Sequence, residues 1–128
     1  MAVEIIMAGF GGQGMLLSGK LLAYAAMEQG LHVSWLPSYG PEMRGGTSNA
    51  TVCIAKNPVA SPYITKPSVL LAMNQPSLDK FSPHVVPGGL IIVNHSIVST
   101  AVSRTDVTAI YEDAGEIAQS VAHVRTAN

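Results

Sequence analysis

Two glycine patterns with the chemistry of phosphate binding overlap in the segment AGFGGQGMLLSGK, near the start of the chain. The first pattern, G-x-G-x-x-G, is formed by Gly9, Gly11 and Gly14. The second is close to a P-loop, G-x-x-x-x-G-K, and is formed by Gly14, Gly19 and Lys20. Either pattern could present backbone amides to an anion. One segment cannot adopt both conformations, so at most one of the patterns is used.

The P-loop pattern lacks two features that its chemistry requires. A P-loop places Ser or Thr directly after the lysine, because that hydroxyl holds Mg²⁺, whereas Leu21 follows Lys20 here. The residues between its glycines must also form an open loop, and the MLLS segment between them is typical of a helix. The sequence therefore argues against a P-loop.

The G-x-G-x-x-G pattern has the expected surroundings, with an apolar strand before it and a helix after it. Residues 3–8 form the apolar run, and residues 15–29 are rich in good helix formers and are followed by Gly30. A nicotinamide site also needs an acid near the end of the second strand, to hold the ribose. The first acid there is Glu42, inside a later loop, so the dinucleotide fingerprint is incomplete. The alternatives are another kind of anion site, or glycines that only allow helix and strand to pack closely.

A second loop, SYGPEMRGGTS, follows the second apolar strand. Ligands of open α/β sheets bind beyond the carboxyl ends of the strands, so this loop can lie beside the glycine turn. Arg44 has the fork geometry that binds a phosphate or the carboxylate of a partner. Gly45 and Gly46 leave backbone amides open to close approach. A simple ion pair between Glu42 and Arg44 is the alternative interpretation.

The remaining elements are short strands and helices typical of an α/β domain. Further strands are expected at residues 31–36, 49–55, 69–73, 90–94 and 107–111, and further helices at residues 76–81 and 114–124. No helix fits between the second and third strands, so these two are expected to be antiparallel or widely separated in the sheet. The predicted fold class is α/β, a three-layer α/β/α Rossmann-like domain with a mostly parallel but mixed sheet.

Composition limits the classes of function. The 128 residues are 48% hydrophobic and only 12% charged, against about 25% charged in a usual soluble domain. Either a sheet buried on both faces or a surface that faces another protein would explain this. There is no basic run for nucleic acid, no apolar run of membrane-spanning length and no metal spacing among the histidines. The single cysteine, Cys53, excludes an internal disulfide and a four-cysteine cluster, and fits a reducing, cytoplasmic location.

Three segments together resemble one family. They are GFGGQGMLLSGKLLAYAAMEQG, WLPSYGPEMRGGTSNATVCIA and SPYITKPSVLLAMNQPSLDKF. They are similar to the gamma subunit of 2-oxoacid:ferredoxin (or acceptor) oxidoreductases, over residues 5–128, and the second loop looks most like the 2-oxoglutarate and branched-chain types. The G-G-Q-G turn combined with S-Y-G-P-E-M-R-G-G is far more specific than a lone G-x-G-x-x-G. On this resemblance residues 1–128 form a single pyruvate/ketoisovalerate oxidoreductase gamma-type domain. Because such chains run on past AHVRTAN, it is expected to be truncated at its C-terminus.

The resemblance implies a function carried out by a complex. Such a complex oxidatively decarboxylates a 2-oxoacid, here expected to be 2-oxoglutarate, and forms acyl-CoA, CO₂ and reduced ferredoxin. Thiamine diphosphate and iron–sulfur clusters are expected on the alpha, beta and ferredoxin-like subunits, with ferredoxin as the acceptor. The isolated chain is therefore expected to bind no cofactor by itself and to be inactive.

The resemblance also implies roles for particular residues, none of them catalytic or metal-binding. The glycine turn is expected to face the active-site cleft or to bind an anionic group such as coenzyme A, through Gly9, Gly11, Gly12, Gln13 and Gly14. The second loop is expected to line the cleft or pack against the catalytic subunits, through Tyr39, Glu42, Arg44, Gly45 and Gly46. Two alternatives remain, an indolepyruvate oxidoreductase accessory subunit and a stand-alone dinucleotide-binding α/β protein. The missing ribose acid argues against the second.

Overall fold

The computed structural model describes residues 2–10, 14–39, 47–59, 61 and 63–113. The strands are β1 (Ala2–Phe10), β2 (His32–Tyr39), β3 (Thr47–Ala55), β4 (Val69–Ala72), β5 (Leu90–Asn94) and β6 (Thr108–Glu112). The helices are α1 (Met15–Glu28) and α2 (Gln75–Phe81), and a 3-10 turn, η1 (Ser82–His84), follows α2. The predicted helix at residues 114–124 lies outside the described residues.

The six strands form one mixed sheet in the order β2-β3-β1-β4-β5-β6. The pairings of β1 with β4, β4 with β5, and β5 with β6 are parallel. Strand β3 runs antiparallel to both of its neighbours, β1 and β2. Segment 40–46, which joins β2 to β3, is too short for a parallel crossover. The predicted α/β class and the mostly parallel, mixed sheet are confirmed. Of the two arrangements expected for the second and third strands, the structure has the antiparallel one.

The two faces of the sheet have separate cores because side chains alternate along each strand. Ile6 and Ala8 of β1 belong to the larger core cluster, which includes Leu78 of α2. The intervening Met7 belongs to a second cluster with Met15 of α1. The two helices therefore cover opposite faces, as a three-layer α/β/α arrangement requires.

The ends of the elements differ from the predicted ones by up to three residues. Strand β2 shows the largest difference, because it continues through Pro37 to Tyr39, whereas the predicted strand stops at residue 36. Proline has no N–H to donate, so it is excluded from central strands. Strand β2 lies at the edge of the sheet and needs only one hydrogen-bonded side, which it shares with β3. A proline is tolerated there.

Gly19 determines how closely α1 packs on the sheet. A Cβ atom built at residue 19 would lie 2.9 Å from the Cβ of Ala50 in β3. It would also lie 3.2 Å from the indole Nε1 of Trp35 in β2. Only a residue without a side chain fits this approach. In the sequence, close packing of helix and strand was one possible role for the glycines of the G-x-G-x-x-G pattern. In the structure, close packing of α1 on the sheet depends on Gly19, which is not part of that pattern.

Candidate functional site

The carboxyl ends of β1, β2, β4 and β5 meet at one edge of the sheet, together with the start of β3. The register pairs Phe10 with Thr47, and Tyr39 with Ser48, so β1 and β2 end level with each other on either side of β3. Neighbouring strands lie about 4.8 Å apart. The glycine turn after β1 and the loop after β2 therefore leave the sheet roughly 10 Å from each other.

The glycine turn is described at its two ends. Gly9 lies within β1, paired with Ser48, and Gly14 is the N-cap of α1. Gly14 has φ 77° and ψ 20°, a left-handed conformation that disfavours residues with a Cβ. Gly11, Gly12 and Gln13 lie outside the described residues, so their anion-binding role stays a prediction.

The N-terminus of α1 has the electrostatics of an anion site. The N-cap, Gly14, has no side chain that could cap this helix end, and the first turn of the helix contains no acidic residue. The amides of a first helical turn point outward, and the helix dipole places partial positive charge there. This end of α1 therefore favours a phosphate or a carboxylate.

The P-loop interpretation is excluded by the start of α1. The helix begins at Met15, so the residues between Gly14 and Gly19 are helical rather than an open loop. Lys20 is exposed on the outer face of the helix, and its Nζ lies 5.9 Å from the centre of the Tyr24 ring. The rejection of this pattern from the sequence is confirmed.

The second loop begins at Tyr39, where β2 ends. Glu42, Arg44, Gly45 and Gly46 lie outside the described residues. Their predicted contacts with an anion, a partner subunit or each other stay predictions.

The connections around β1 and β4 diverge, and this creates the crevice where such sheets bind ligands. From β1 the chain crosses through α1 to β2, whereas from β4 it crosses through α2 to β5 on the other side. Ligands of open α/β sheets bind beyond the strand ends at this reversal. The backbone N–H of Met73 donates to the carbonyl of Ala8 at 2.9 Å, which keeps the ends of the two strands together. The N-terminus of α1 lies at the same crevice.

Asn74 is a buried polar residue at this crevice that sequence reasoning missed. Its Oδ1 accepts a hydrogen bond from the backbone N–H of Ser77 at 2.9 Å and so caps α2. Its Nδ2 and the Ser77 hydroxyl are buried and have no partner among the described residues. An unpaired buried polar group costs about 1–3 kcal/mol. The N-Q-P segment, with Asn before a proline in the first helical turn, carries the signal that could have identified the cap.

The titratable groups of the described part do not form a catalytic cluster. Burial, and secondarily the nearby charge of Glu4, raises the pKa of the Cys53 thiol, which keeps it protonated. Cys53 pairs in register with Glu4, towards the far end of the sheet from the crevice. No three His, Cys, Asp or Glu side chains in the described ranges lie close enough together to hold a metal ion. None of the described helices is long and apolar enough to cross a membrane.

The fold and the crevice define a Rossmann-like α/β domain with a crevice at the carboxyl edge of its sheet. Residues 4–128 match the family model described as pyruvate ferredoxin/flavodoxin oxidoreductase. The chain belongs to this family, and the resemblance stated from the sequence is confirmed.

Two curated relatives are named after different substrates. The ketoisovalerate oxidoreductase subunit VorA of Methanothermobacter thermautotrophicus is 47% identical over 126 residues, which cover 98% of this chain and 26% of that protein. The 2-oxoglutarate synthase subunit KorC of Methanocaldococcus jannaschii is 38% identical over 110 residues, which cover 84% of this chain and 59% of that protein. The chain thus spans only part of the length of each.

Two solved structures share the fold. The keto/oxoacid ferredoxin oxidoreductase gamma subunit of Geobacter sulfurreducens superposes with a TM-score of 0.87 at 31% identity, covering 99% of this chain and 70% of that one. The 2-oxoglutarate:ferredoxin oxidoreductase of Magnetococcus marinus superposes with a TM-score of 0.88 at 21% identity, covering 98% of this chain and 22% of that one. At 21% identity, the likeness to the Magnetococcus marinus protein shows a shared fold and nothing more.

Proposed function

We propose that residues 1–128 act as the gamma-type domain of a 2-oxoacid:ferredoxin oxidoreductase complex. The observation that carries the proposal is the likeness to the Geobacter sulfurreducens gamma subunit, which extends over nearly the whole chain. The complex would oxidatively decarboxylate a 2-oxoacid and transfer the acyl group to coenzyme A, with ferredoxin as the electron acceptor. Catalytic alpha and beta subunits and a ferredoxin-like subunit are the proposed partners, in the cytoplasm.

The proposed substrate of the complex is a 2-oxoacid, and there are two candidates for it. The second loop of the sequence resembles that of the 2-oxoglutarate and branched-chain types, and a relative at 38% identity is named for 2-oxoglutarate. A relative at 47% identity is named for ketoisovalerate, which makes a branched-chain 2-oxoacid the competing substrate. Both 2-oxoacids should therefore be tested as substrates of the complex.

The cofactors of the reaction fit partner subunits rather than this chain. An iron–sulfur cluster needs several cysteine ligands, and the chain has one cysteine, Cys53, which is buried. Thiamine diphosphate, when bound to the catalytic subunits, would supply the electron sink for decarboxylation. The isolated chain is therefore expected to be inactive.

The proposed contribution of this chain is an anion site for coenzyme A at the carboxyl edge of the sheet. Three features support it: the N-terminus of α1 has no acidic residue in its first turn, Gly14 is left-handed, and the crevice adjoins this helix end. The Magnetococcus marinus protein was solved with 2-oxoglutarate, coenzyme A and succinyl-CoA bound. In this chain the helix end would hold a phosphate group of coenzyme A, and the loop after β2 would meet the catalytic subunits.

The decisive experiment is an anaerobic pull-down of the tagged chain from its own cells. We expect larger subunits that carry iron and thiamine diphosphate, and ferredoxin reduction that depends on coenzyme A and a 2-oxoacid. Comparing 2-oxoglutarate, ketoisovalerate and indolepyruvate as substrates would identify the enzyme and test the indolepyruvate alternative. A chain recovered alone that binds NAD tightly would refute the proposal and support a stand-alone dinucleotide-binding protein.

A further inference from the structure

A pocket on the α2 side of the sheet lies away from the carboxyl edge. It has a volume of about 290 Å³, and its described lining consists of Ile6, Ile64, Thr65, Lys80, Phe81 and His84. We call it the α2 pocket. Helix α2 begins after Asn74 at the crevice, and Lys80 and Phe81 end it. The pocket therefore lies about 10 Å along the helix from the crevice.

The inner part of the α2 pocket is apolar. Ile6 of β1 is a buried member of the larger core cluster. Ile64 and Phe81 are partly buried and pack against the same cluster. Their side chains can bury the hydrocarbon part of a ligand, as the apolar walls of small-molecule sites do.

The ionisable side chains of the α2 pocket are Lys80 and His84, and its described lining contains no acid. The Nζ of Lys80 lies 5.2 Å from the centre of the Phe81 ring, so the ammonium stands beside the apolar part. The carboxylate of the neighbouring Asp79 accepts a hydrogen bond from Gln75 at 2.8 Å. Within the described part of the chain, neither Lys80 nor His84 forms an ion pair. The pocket thus combines an apolar interior with an unneutralised cation.

We propose that the α2 pocket binds a small aliphatic carboxylate. The hydrocarbon chain would lie against Ile6, Ile64 and Phe81. The carboxylate would accept hydrogen bonds from the Lys80 ammonium and the His84 imidazole, which both carry N–H donors. A wholly polar anion such as phosphate would leave the apolar part of the lining unused. A cationic ligand would be repelled by Lys80.

The size of the α2 pocket favours a small molecule over a protein surface. Small-molecule sites begin at about 300 Å³, close to the volume of this pocket. A standard protein interface needs roughly 800 Å² from each partner. A branched carboxylate of about six carbons suits such a site, and so few atoms give a dissociation constant on the order of 1 mM.

The proposal does not rest on the proposed function, because the two anion sites lie at opposite ends of α2. A ligand at the N-terminus of α1 would affect the surroundings of Gly14 and Asn74. A ligand in the α2 pocket would affect those of Ile64, Thr65 and Phe81. A measurement that locates the ligand can therefore separate them.

An NMR titration of the 128-residue chain with isocaproate at pH 7 tests the proposal. The amides of residues 64–65 and 80–84 should shift, with a dissociation constant on the order of 1 mM. Isocaproamide has the same shape without the charge and should bind about fivefold to tenfold more weakly. Acetate lacks the hydrocarbon chain and should bind more than about tenfold more weakly.

Lys80→Met keeps the length of the side chain and removes its charge. It should raise the dissociation constant for isocaproate about threefold to fivefold, whereas Lys80→Arg should stay within about twofold of wild type. Lys20→Met is the matched control. Lys20 is also exposed and also lies near an aromatic ring, 5.9 Å from the centre of Tyr24, but on the helix that covers the other face of the sheet. This control should bind as wild type does.

Four results would each overturn the proposal. They are no binding of isocaproate up to about 20 mM, twentyfold above the expected dissociation constant, equal binding of isocaproamide, an unchanged dissociation constant in Lys80→Met, and shifts centred on Gly14 and Asn74. The last result would move the ligand to the crevice and would favour the anion site of the proposed function instead. Thermal denaturation without ligand should show Lys80→Met as stable as Lys20→Met, because both lysines are exposed.

Discussion

Gly19 of α1 lies so close to Ala50 of β3 that a Cβ atom on residue 19 would stand 2.9 Å from the Cβ of Ala50. Gly19→Ala should therefore destabilise the domain by about 1–3 kcal/mol through overpacking, although alanine is the better helix former by about 1 kcal/mol. Urea denaturation would measure the change. Ala50→Gly in the same chain should recover part of the loss, because it removes the atom that clashes. A Gly19→Ala variant as stable as the wild type would contradict this packing.

Gly14 is the second glycine whose replacement should be costly, here because of its backbone conformation. At φ 77°, Gly14→Ala should lose about 1–2 kcal/mol of stability, and Gly14→Asn should lose less, because asparagine tolerates the left-handed region. If the N-terminal end of α1 binds coenzyme A, Gly14→Ala should also weaken the binding of coenzyme A by the assembled complex. This would be measured as a higher KM for coenzyme A. Unchanged binding together with the expected loss of stability would show that the glycine is only structural.

Asn74 should stabilise α2 through its cap. Asn74→Ala should cost about 0.5–2 kcal/mol, because the backbone N–H of Ser77 loses its acceptor. Asn74→Ser keeps an oxygen at the cap and also removes the unpartnered Nδ2, so it should cost less than the alanine variant. Thermal denaturation of both variants would compare them. Equal losses in the two variants would count against the cap as the main contribution.

The ion pair between Arg104 and Asp106 should make a small contribution to stability that depends on pH. The Arg104 guanidinium donates to the Asp106 carboxylate and lowers its pKa from the ordinary 3.8. A carboxyl whose pKa is lower in the folded state stabilises the fold above its unfolded pKa, and that contribution is lost as the pH falls through the folded value. Asp106→Asn should therefore lower the Tm at pH 7, and the difference from wild type should shrink below about pH 3.8. A difference that is independent of pH would contradict the pairing.

Local sequence patterns were sufficient to predict most of the fold. The short apolar runs predicted the strands. The short connection after β2 limited β2 and β3 to an antiparallel pairing or to distant places in the sheet, and the structure has the antiparallel pairing. The glycine pattern also located the turn between β1 and α1, which ends at the left-handed Gly14. Each of these features depends on residues close together in the chain, which is the information that a sequence pattern carries.

Features that depend on distant packing could not be predicted. The need for glycine at residue 19 comes from Ala50 and Trp35, which only the folded sheet brings to α1. The exposure of Leu21 was missed as well, because apolar side chains stand on every side of α1 and the pattern does not show which of them the sheet covers. For the candidate site, the sequence located the carboxyl edge but missed Asn74, and the roles of residues 11–13 and 42–46 stay predictions.

The antiparallel strand β3 also makes the β2–β3 hairpin a distinct unit of the described sheet, joined to the parallel strands by the pairing of β3 with β1. Strand β2 joins the sheet only through β3, so separation of β3 from β1 would free the β2–β3 hairpin while β1, β4, β5 and β6 kept their parallel pairing. Partial unfolding of such a cooperative unit has its own free energy, below that of global unfolding. Because this pairing lies between the glycine turn and the hairpin loop, its opening would move the two halves of the candidate site apart. Native-state hydrogen exchange would detect such an opening as joint exchange of the β3 amides that pair with β1, at a free energy below that of global unfolding.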